Sequence, residues 1–369
     1  MAVVNLKNYL RNVYANLKNY VDGLSDRQRD QFIRKCHKLF DLGEGDYDEE
    51  NLVAFYVMKY ARAYGFQFSR AYADIFADMG QRDSVRAVSI GCGTGIDYWG
   101  MSHAARCLQT ALDCHLDYTG IDPQDWFYKV TDSPDMPDQD TVRYNEVQRL
   151  SDGHTEACND FGDLLDIMER NSDEPLDDIY FFGHSIKEVS IYTVPETQEK
   201  QRKFMRHHGV SYSYYIYKYN PYLSMARFAR LIRERISDRP VYVAFTYRKC
   251  PDENRPADFE NTEAYDVRYG TYFATCLKQR GLNVDLVEPI HIDPRYGISL
   301  RSRENTYSCR ESYFDYDDIH SYTGAPDEGD IIWHLGKDRA GAFDSLYYGR
   351  DNPAICSKSF LYTLNRSRD

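Results

Sequence analysis

The 369-residue sequence predicts a doubly wound α/β fold, in which helices cover both faces of a mostly parallel sheet. Three observations carry this prediction. From residue 84 onward, short apolar segments of strand character alternate with amphipathic segments of helical character. The first apolar segment runs into a glycine-rich turn, and the residues before it show helical periodicity alone. Because parallel strands need crossover connections of one hand, this alternation indicates a doubly wound sheet.

The first 84 residues are predicted to form a helical region. Apolar residues recur at three- and four-residue steps over residues 6–24, which indicates an amphipathic helix. Ser25 and Gln28 have the spacing of a capping box, so a second helix is expected from there to about Leu42. Two further helices are expected over residues 49–63 and 68–77.

Residues 85–369 are predicted to form the α/β domain. Strands are expected at 85–90, 117–122, 177–183, 240–247, 284–290 and 358–364. Helices are expected at 97–113, 142–150, 161–170, 221–237 and 264–280. Residues 292–357 are rich in Tyr, Asp and Gly and lack periodicity, so we interpret them as a long insertion that could act as an active-site lid.

Composition excludes several classes of protein. No apolar run approaches the ~20 residues of a membrane span, and the N-terminus lacks the pattern of a secretion signal, so a cytoplasmic protein without membrane association is expected. The nine cysteines are scattered without a C-x-x-C pair, which argues against a disulfide framework and a cysteine zinc site. The adjacent pairs Cys36-His37 and His207-His208 fit no zinc template, so no metal is predicted.

The glycine-rich turn is the most informative segment. Gly91, Cys92, Gly93 and Gly95 follow an apolar strand and precede a helix, whose N-terminal amides could face a ligand. The dinucleotide pattern requires a third glycine where Ile96 stands, and the Lys-Ser/Thr pair of a phosphate-binding loop is absent. The next predicted strand ends in an acid, Asp122.

The G-x-G-x-G turn with this spaced acid resembles motif I of the class I (Rossmann-like) S-adenosylmethionine-dependent methyltransferases, without indicating a subfamily. The resemblance covers residues 85–290 and the C-terminal strand. It implies a Rossmann-like, seven-stranded, mostly parallel sheet whose last strand, near residues 360–364, is antiparallel. It also implies S-adenosylmethionine as the cofactor and methyl transfer as the activity.

The resemblance implies roles for individual residues. Asp122 would bind the ribose hydroxyls, and Gly183 lies where the fourth strand faces the transferred methyl group. The other implied cofactor contacts are Gly91, Cys92, Gly93 and Gly95 for methionine and ribose, and Asp160 with Phe161 for adenine. Ser89 departs from the pattern, because the family often has an acidic residue there.

Two residues after the fourth strand are candidate catalytic groups. His184 could act as a general base, and Glu188 could orient it if the segment is helical. A structural histidine explains His184 equally well, because methyl transfer to a good nucleophile requires mainly positioning.

Charge is unevenly distributed in a chain whose net charge is −13. Residues 131–180 hold 15 acidic and three basic residues, whereas residues 200–249 hold 12 basic and two acidic ones. Tyrosines interleave with the cations over residues 212–222, a pattern that suits nucleic-acid binding, although an arginine-rich helix face beside a packed tyrosine loop would look the same.

Three functions therefore remain open from the sequence. The first is methyl transfer to an unidentified acceptor, with a small molecule slightly favoured. The second is modification or binding of nucleic acid through residues 200–249. The third is a non-catalytic cofactor-binding or interaction module. The sequence predicts no oligomeric state.

Overall fold

The computed structural model describes residues 3–41, 47–107, 114–183, 185, 221–249, 272–273, 276–277, 298–307 and 356–366. The helices are α1 (Leu6–Asp22), α2 (Asp26–Asp41), α3 (Glu50–Met79), α4 (Ile96–Cys107), α5 (Phe161–Arg170) and α6 (Pro221–Arg235). The strands are β1 (Ser84–Ile90), β2 (His115–Ile121), β3 (Thr141–Tyr144), β4 (Glu146–Gln148), β5 (Thr155–Ala157), β6 (Ile179–Gly183), β7 (Val241–Lys249), β8 (Ile298–Tyr307) and β9 (Cys356–Arg366).

Seven strands of the described residues form one sheet in the order β3-β2-β1-β6-β7-β9-β8. Neighbouring strands from β3 to β7 are parallel, and β9 runs antiparallel to both β7 and β8. The predicted doubly wound, mostly parallel sheet is confirmed, and so is the antiparallel direction of the C-terminal strand. Strands β4 and β5 form a separate antiparallel pair.

The two faces of the sheet bury two hydrophobic clusters. On one face, Ala87 of β1 and Phe181 of β6 join a cluster that includes residues of α1, α3 and α4. On the other face, Val88 and Phe182 pack with α5 and α6. Because successive side chains of a strand point to opposite faces, β1, β2, β6 and β7 each contribute to both clusters. The N-terminal helices therefore share the core of the sheet.

Helix starts in the N-terminal region follow local chemistry. The backbone N–H of Ser25 donates to Gln28 Oε1 over 2.9 Å, which confirms one of the two bonds of the predicted capping box at the start of α2, and the Ser25 hydroxyl donates to the same oxygen over 2.6 Å. Asn5 caps α1 through its side chain, which accepts from the Asn8 backbone N–H over 3.3 Å.

The prediction of two helices over residues 49–63 and 68–77 is wrong, because α3 is one helix of 30 residues. Gly65 lies within the expected break, and a Cβ there would approach Trp99 Cε3 to 2.9 Å. Gly65 is therefore a contact point for α4. A glycine costs a helix only about 1 kcal/mol relative to alanine, which packing against α4 offsets.

The helix predicted over residues 142–150 is also wrong, because this stretch forms β3, a left-handed residue at Asn145 and β4. Pairing of β3 with β2 and of β4 with β5 decides the conformation, which local propensity does not. Strand β8 lies inside the predicted insertion at 292–357. The prediction of an irregular segment is therefore wrong for this strand, which pairs along its length with β9.

Several predicted elements fall outside the described residues, wholly or in part. The strand at 284–290, residues 108–113 of the predicted α4 helix, most of the 264–280 helix and most of the 292–357 insertion belong to this group. None of the described helices combines the length and the apolar character required to cross a bilayer. The described part of the chain also contains no cluster of three or more potential metal ligands.

Candidate cofactor site

The candidate site lies at the carboxyl ends of β1, β2 and β6. Strand β1 pairs with β2 on one side and with β6 on the other, so the strand order reverses between β1 and β6. Helix α4, which follows β1, packs in the cluster on one face of the sheet, and α6, the next described helix after β6, packs in the cluster on the other face. Open α/β sheets bind their ligands at this type of position.

The glycine-rich turn is tied to the end of β2. Gly91, Gly93 and Gly95 have φ values of +69°, +56° and +77°, which residues with a side chain rarely adopt. The backbone N–H groups of Gly91 and Cys92 both donate to the Ile121 carbonyl, over 2.7 and 3.2 Å. This turn therefore keeps a fixed position next to the residue that follows β2.

That residue is Asp122, which the structure brings together with the turn as predicted from the sequence. Its Oδ2 accepts from the Gly93 backbone N–H and its Oδ1 accepts from the Gln124 backbone N–H, each over 2.9 Å. Burial raises the pKa of Asp122, and the Gln124 backbone N–H, the Trp126 indole N–H and the Gly93 backbone N–H oppose the increase. The carboxylate is thus fixed beside the turn.

Side chains of the protein itself contact the three glycines. A Cβ on Gly91 would overlap Ser185, a Cβ on Gly95 would overlap the Tyr144 hydroxyl, and the Trp126 ring lies 3.7 Å from the Cβ position of Gly93. Ser185 also donates from its hydroxyl to the Ile90 carbonyl. Close packing by Ser185 and Tyr144 accounts for Gly91 and Gly95, whereas Trp126 lies at ordinary contact distance from the Gly93 position, whose positive φ favours glycine. A ligand lying on the turn would have to displace these side chains.

Trp126 lies between the glycine-rich turn and two tyrosines of the N-terminal region. Its ring centroid lies 4.7 Å from that of Tyr47 and 5.6 Å from that of Tyr56. The Tyr9 hydroxyl of α1 donates to the Tyr128 carbonyl over 2.6 Å. The connection between β2 and β3 is therefore held between the turn and the N-terminal helices.

Sequence reasoning missed a second buried carboxylate at the turn. Asp97 lies in the first turn of α4 with 1% of its surface exposed, and the Tyr118 hydroxyl lies 2.8 and 2.9 Å from its two oxygens. Burial raises the pKa of Asp97 to about 6, although hydrogen bonds to the carboxylate oppose the increase. The available signal was an acid two residues after the last glycine of the turn.

Asn145 was also missed. It follows β3 with φ +56°, and its Oδ1 accepts from the Asp122 backbone N–H over 2.9 Å. Its own backbone N–H donates to the Gly120 carbonyl over 2.8 Å. Asn145 therefore positions Asp122, and asparagine tolerates this left-handed backbone better than most residues.

The remaining predicted site residues have separate positions. Asp160 caps α5 by accepting from the Asp163 backbone N–H over 2.8 Å. Phe161 is buried, with its ring centroid 5.3 Å from that of Phe182. Gly183 ends β6, while His184 and Glu188 lie outside the described residues.

Part of the basic stretch at 200–249 forms ion pairs with the acidic stretch at 131–180. Arg227 of α6 is 6% exposed, and its guanidinium donates to Asp166 over 2.7 Å and to Glu169 over 2.9 Å, both on α5. Arg230 also donates to Glu169. These arginines thus serve the contact between two helices, whereas residues 200–220 lie outside the described residues.

No family model matches the chain, and no curated protein matches it. Several solved structures do. One is the plantazolicin methyltransferase BpumL in complex with SAH, with 10% identity over 93% of this chain and 98% of that chain, at a TM-score of 0.37. Another is a loganic acid methyltransferase with SAH, with 9% identity over 85% of this chain and 96% of that one, at 0.36.

A third is phosphoethanolamine N-methyltransferase 2 of Haemonchus contortus in complex with S-adenosyl-L-methionine. It shares 12% identity over 85% of this chain and 57% of that chain, at a TM-score of 0.38. All three are methyltransferases by name. Similarity at this level carries no argument for this chain, whose fold class rests on its own strand order and register.

Proposed function

We propose that this protein transfers a methyl group from S-adenosylmethionine to an acceptor. The observation that supports the proposal is the position of Asp122, a buried carboxylate 2.9 Å from the Gly93 backbone N–H at the carboxyl end of β2. A carboxylate can accept both protons of a ribose diol in charge-assisted hydrogen bonds. The position adjoins the strand-order reversal, where this class of sheet binds ligands.

The described residues fit this cofactor in charge and in polarity. Asp97 and Asp122 are both buried, and within the described part of the chain neither forms an ion pair with a cationic side chain. The Trp126 indole N–H lies beside the turn and near enough to Asp122 to lower the pKa of that carboxyl group. A cationic ligand that also carries hydroxyl groups would complement both carboxylates.

In this proposal, S-adenosylmethionine supplies an electrophilic methyl group on its sulfonium. Asp122 binds the ribose, and Asn145 holds the Asp122 backbone in place. The acceptor enters beside the carboxyl end of β6, where His184 and Glu188 stay candidate catalytic residues. Alignment of the acceptor with the methyl group is the main contribution of the protein to the rate. The favoured acceptor is a small molecule.

Calorimetric titration with S-adenosylmethionine tests the proposal. Replacing Asp122→Asn should weaken binding about tenfold or more, because hydrogen bonds to a charged group are each worth roughly 1.5–3 kcal/mol. The matched control is Asp125→Asn, three residues further along the same connection, where the side chain is 93% exposed and pairs with Lys129. This control should leave affinity unchanged.

Absence of binding to the unsubstituted protein at about 1 mM ligand would contradict the proposal, because a cofactor site weaker than this would stay largely empty. Where binding is found, formation of S-adenosylhomocysteine with panels of small-molecule amines, hydroxyls and thiols identifies the acceptor class. Tight binding without turnover on any acceptor would favour the non-catalytic module instead.

A further inference from the structure

The glycine-rich turn lies between two buried carboxylates. Asp97, in the first turn of α4, is 1% exposed, and Asp122, after β2, is 9% exposed. Burial raises the pKa of the Cys92 thiol between them, and the nearby charges of Asp122 and Asp97 raise it further. Lys129 opposes this effect, but it pairs with Asp125 over 2.7 Å.

A buried anion without a cation is energetically costly unless a ligand compensates it. Neither carboxylate forms an ion pair within the described residues, although other buried acids do. Asp178, which is 3% exposed, pairs with Arg82 over 2.7 Å, and Asp140 pairs with Arg106. The sites that lack a cation thus coincide with the candidate cofactor site.

One polar group beside the acids lacks a partner in the described part of the chain. The Tyr72 hydroxyl near Asp97 is buried and has no hydrogen-bond partner among the described residues. The buried Trp126 indole N–H beside Gly93 lies near enough to Asp122 to lower the pKa of that carboxyl group. Buried polar groups in folded proteins are nearly always satisfied, so an unpartnered one beside an uncompensated charge marks a place that a polar molecule would complete.

We propose that Asp97 acts with Asp122 to give the cofactor site a negative charge that selects S-adenosylmethionine over its product, S-adenosylhomocysteine. This inference rests on the proposed function. The two ligands differ by the sulfonium, which carries a permanent positive charge, whereas the thioether of the product is neutral. Asp97 is a positioning residue here, because its charge acts across the turn.

The arrangement explains how the turn keeps a second acid although Ser89, the residue before the last one of β1, is not acidic. Tyr118 of β2 donates its hydroxyl to the Asp97 carboxylate, and Ser89 lies near enough to lower the pKa of Asp97. The carboxylate therefore comes from the helix and is held from two strands. After transfer, loss of the positive charge weakens the attraction and promotes release of the product.

Affinities of both ligands for the unsubstituted protein and for Asp97→Asn test the proposal. Asparagine has nearly the shape of aspartate and keeps an acceptor for Tyr118. We expect it to weaken S-adenosylmethionine about tenfold and the product less than about threefold, since a unit charge at several ångströms in a partly buried site is worth that much. Asp117→Asn is the control, because Asp117 is on β2 and pairs with Arg143.

A pH series on the unsubstituted protein gives a second measurement that depends on no variant. The pKa of Asp97 is raised to about 6, so the carboxylate is charged above and neutral below that value. Selectivity for the cationic ligand should therefore decrease as the pH is lowered from about 7.5 to about 5.5. Protonation of Asp122, whose pKa is also raised, acts in the same direction.

Other groups facing Asp97 keep one charge state over this range. Burial raises the pKa values of Tyr118, Tyr72, Tyr144 and Cys92, so these groups stay neutral. An equal loss of affinity for both ligands in Asp97→Asn, or a ligand ratio that does not change with pH, would overturn the inference and leave the proposed function intact. Absence of binding of either ligand to the unsubstituted protein would overturn both.

Discussion

Backbone strain at single residues concentrates beside the candidate site. Among the described residues, the two positions other than glycine with positive φ are Tyr128, at +58°, and Asn145, at +56°. Tyr128 belongs to the connection between β2 and β3, and Asn145 holds Asp122. Such conformations cost of order 1–3 kcal/mol each and persist where surrounding contacts enforce them, as they do at these two positions.

Replacing Gly91→Ala should destabilise the protein more than Gly153→Ala. The two glycines have similar φ values, +69° and +71°, so both variants incur the same backbone strain of roughly 1 kcal/mol. Only Gly91 would also force its new Cβ onto Ser185, whereas Gly153 has open space around it. Overpacking adds about 1–3 kcal/mol.

Urea unfolding of the two variants measures the difference. Equal losses of unfolding free energy would mean that Ser185 moves aside without cost. In that case the glycine would be needed for its φ alone, and the face of the turn would open readily to a ligand.

At the scale of elements, the uneven charge distribution of the sequence produces ion pairs between α5 and α6. The acidic block contributes Asp166 and Glu169 on α5, and the basic block contributes Arg227 and Arg230 on α6. The blocks lie far apart in the chain and face each other in the fold. Their opposite charges therefore stabilise a contact between helices, which composition alone could not distinguish from a surface for an anionic partner.

Replacing Arg227→Met should reduce the unfolding free energy by about 2 kcal/mol, because the change removes the buried guanidinium that Asp166 and Glu169 share, whereas Arg230 reaches Glu169 from an exposed position. Arg230→Met is the control. Its side chain is 47% exposed, and exposed ion pairs are worth about 0–1 kcal/mol. Chemical denaturation in low and high salt tests both variants. A larger loss for Arg230→Met would contradict the assignment of Arg227 as the buried link.

At the scale of the whole molecule, the N-terminal helices and the sheet share one core. Leu10 of α1 and Phe55 of α3 belong to the same buried cluster as Leu116 of β2. The Trp99 indole N–H of α4 donates to the Val4 carbonyl over 2.9 Å, so the residues before α1 are attached to the domain that follows. The expected boundary after residue 84 thus divides the sequence without dividing this cluster.

Replacing Leu10→Ala should therefore weaken the sheet as well as α1. The side chain is fully buried, and the loss of unfolding free energy should be about 2–5 kcal/mol. Amide hydrogen exchange resolves where protection falls. We expect faster exchange in β1 and β2 as well as in α1 and α3. Faster exchange confined to the N-terminal helices would show that they open separately from the sheet.

Features that depend on neighbours in the chain were predictable from the sequence. The strands at residues 84–90 and 115–121, the turn between β1 and α4, the capping box at Ser25 and the helix at 161–170 follow from local apolar patterns and turn chemistry. The contact of Asp122 with the glycine-rich turn was predictable for the same reason, because the carboxyl ends of adjacent parallel strands meet at one edge of the sheet.

Features that depend on distant partners were decided only by the tertiary structure. Residues 142–150 became strands because β2 and β5 offer pairing partners, and α3 continues through Gly65 because α4 packs against it. In the sequence, Asp97 is an ordinary acid at the start of a helix. In the fold, it is buried by the surrounding core and hydrogen-bonded to Tyr118. Burial and pairing are set by residues far away in the chain, and they convert a common residue type into a buried charge at the candidate site.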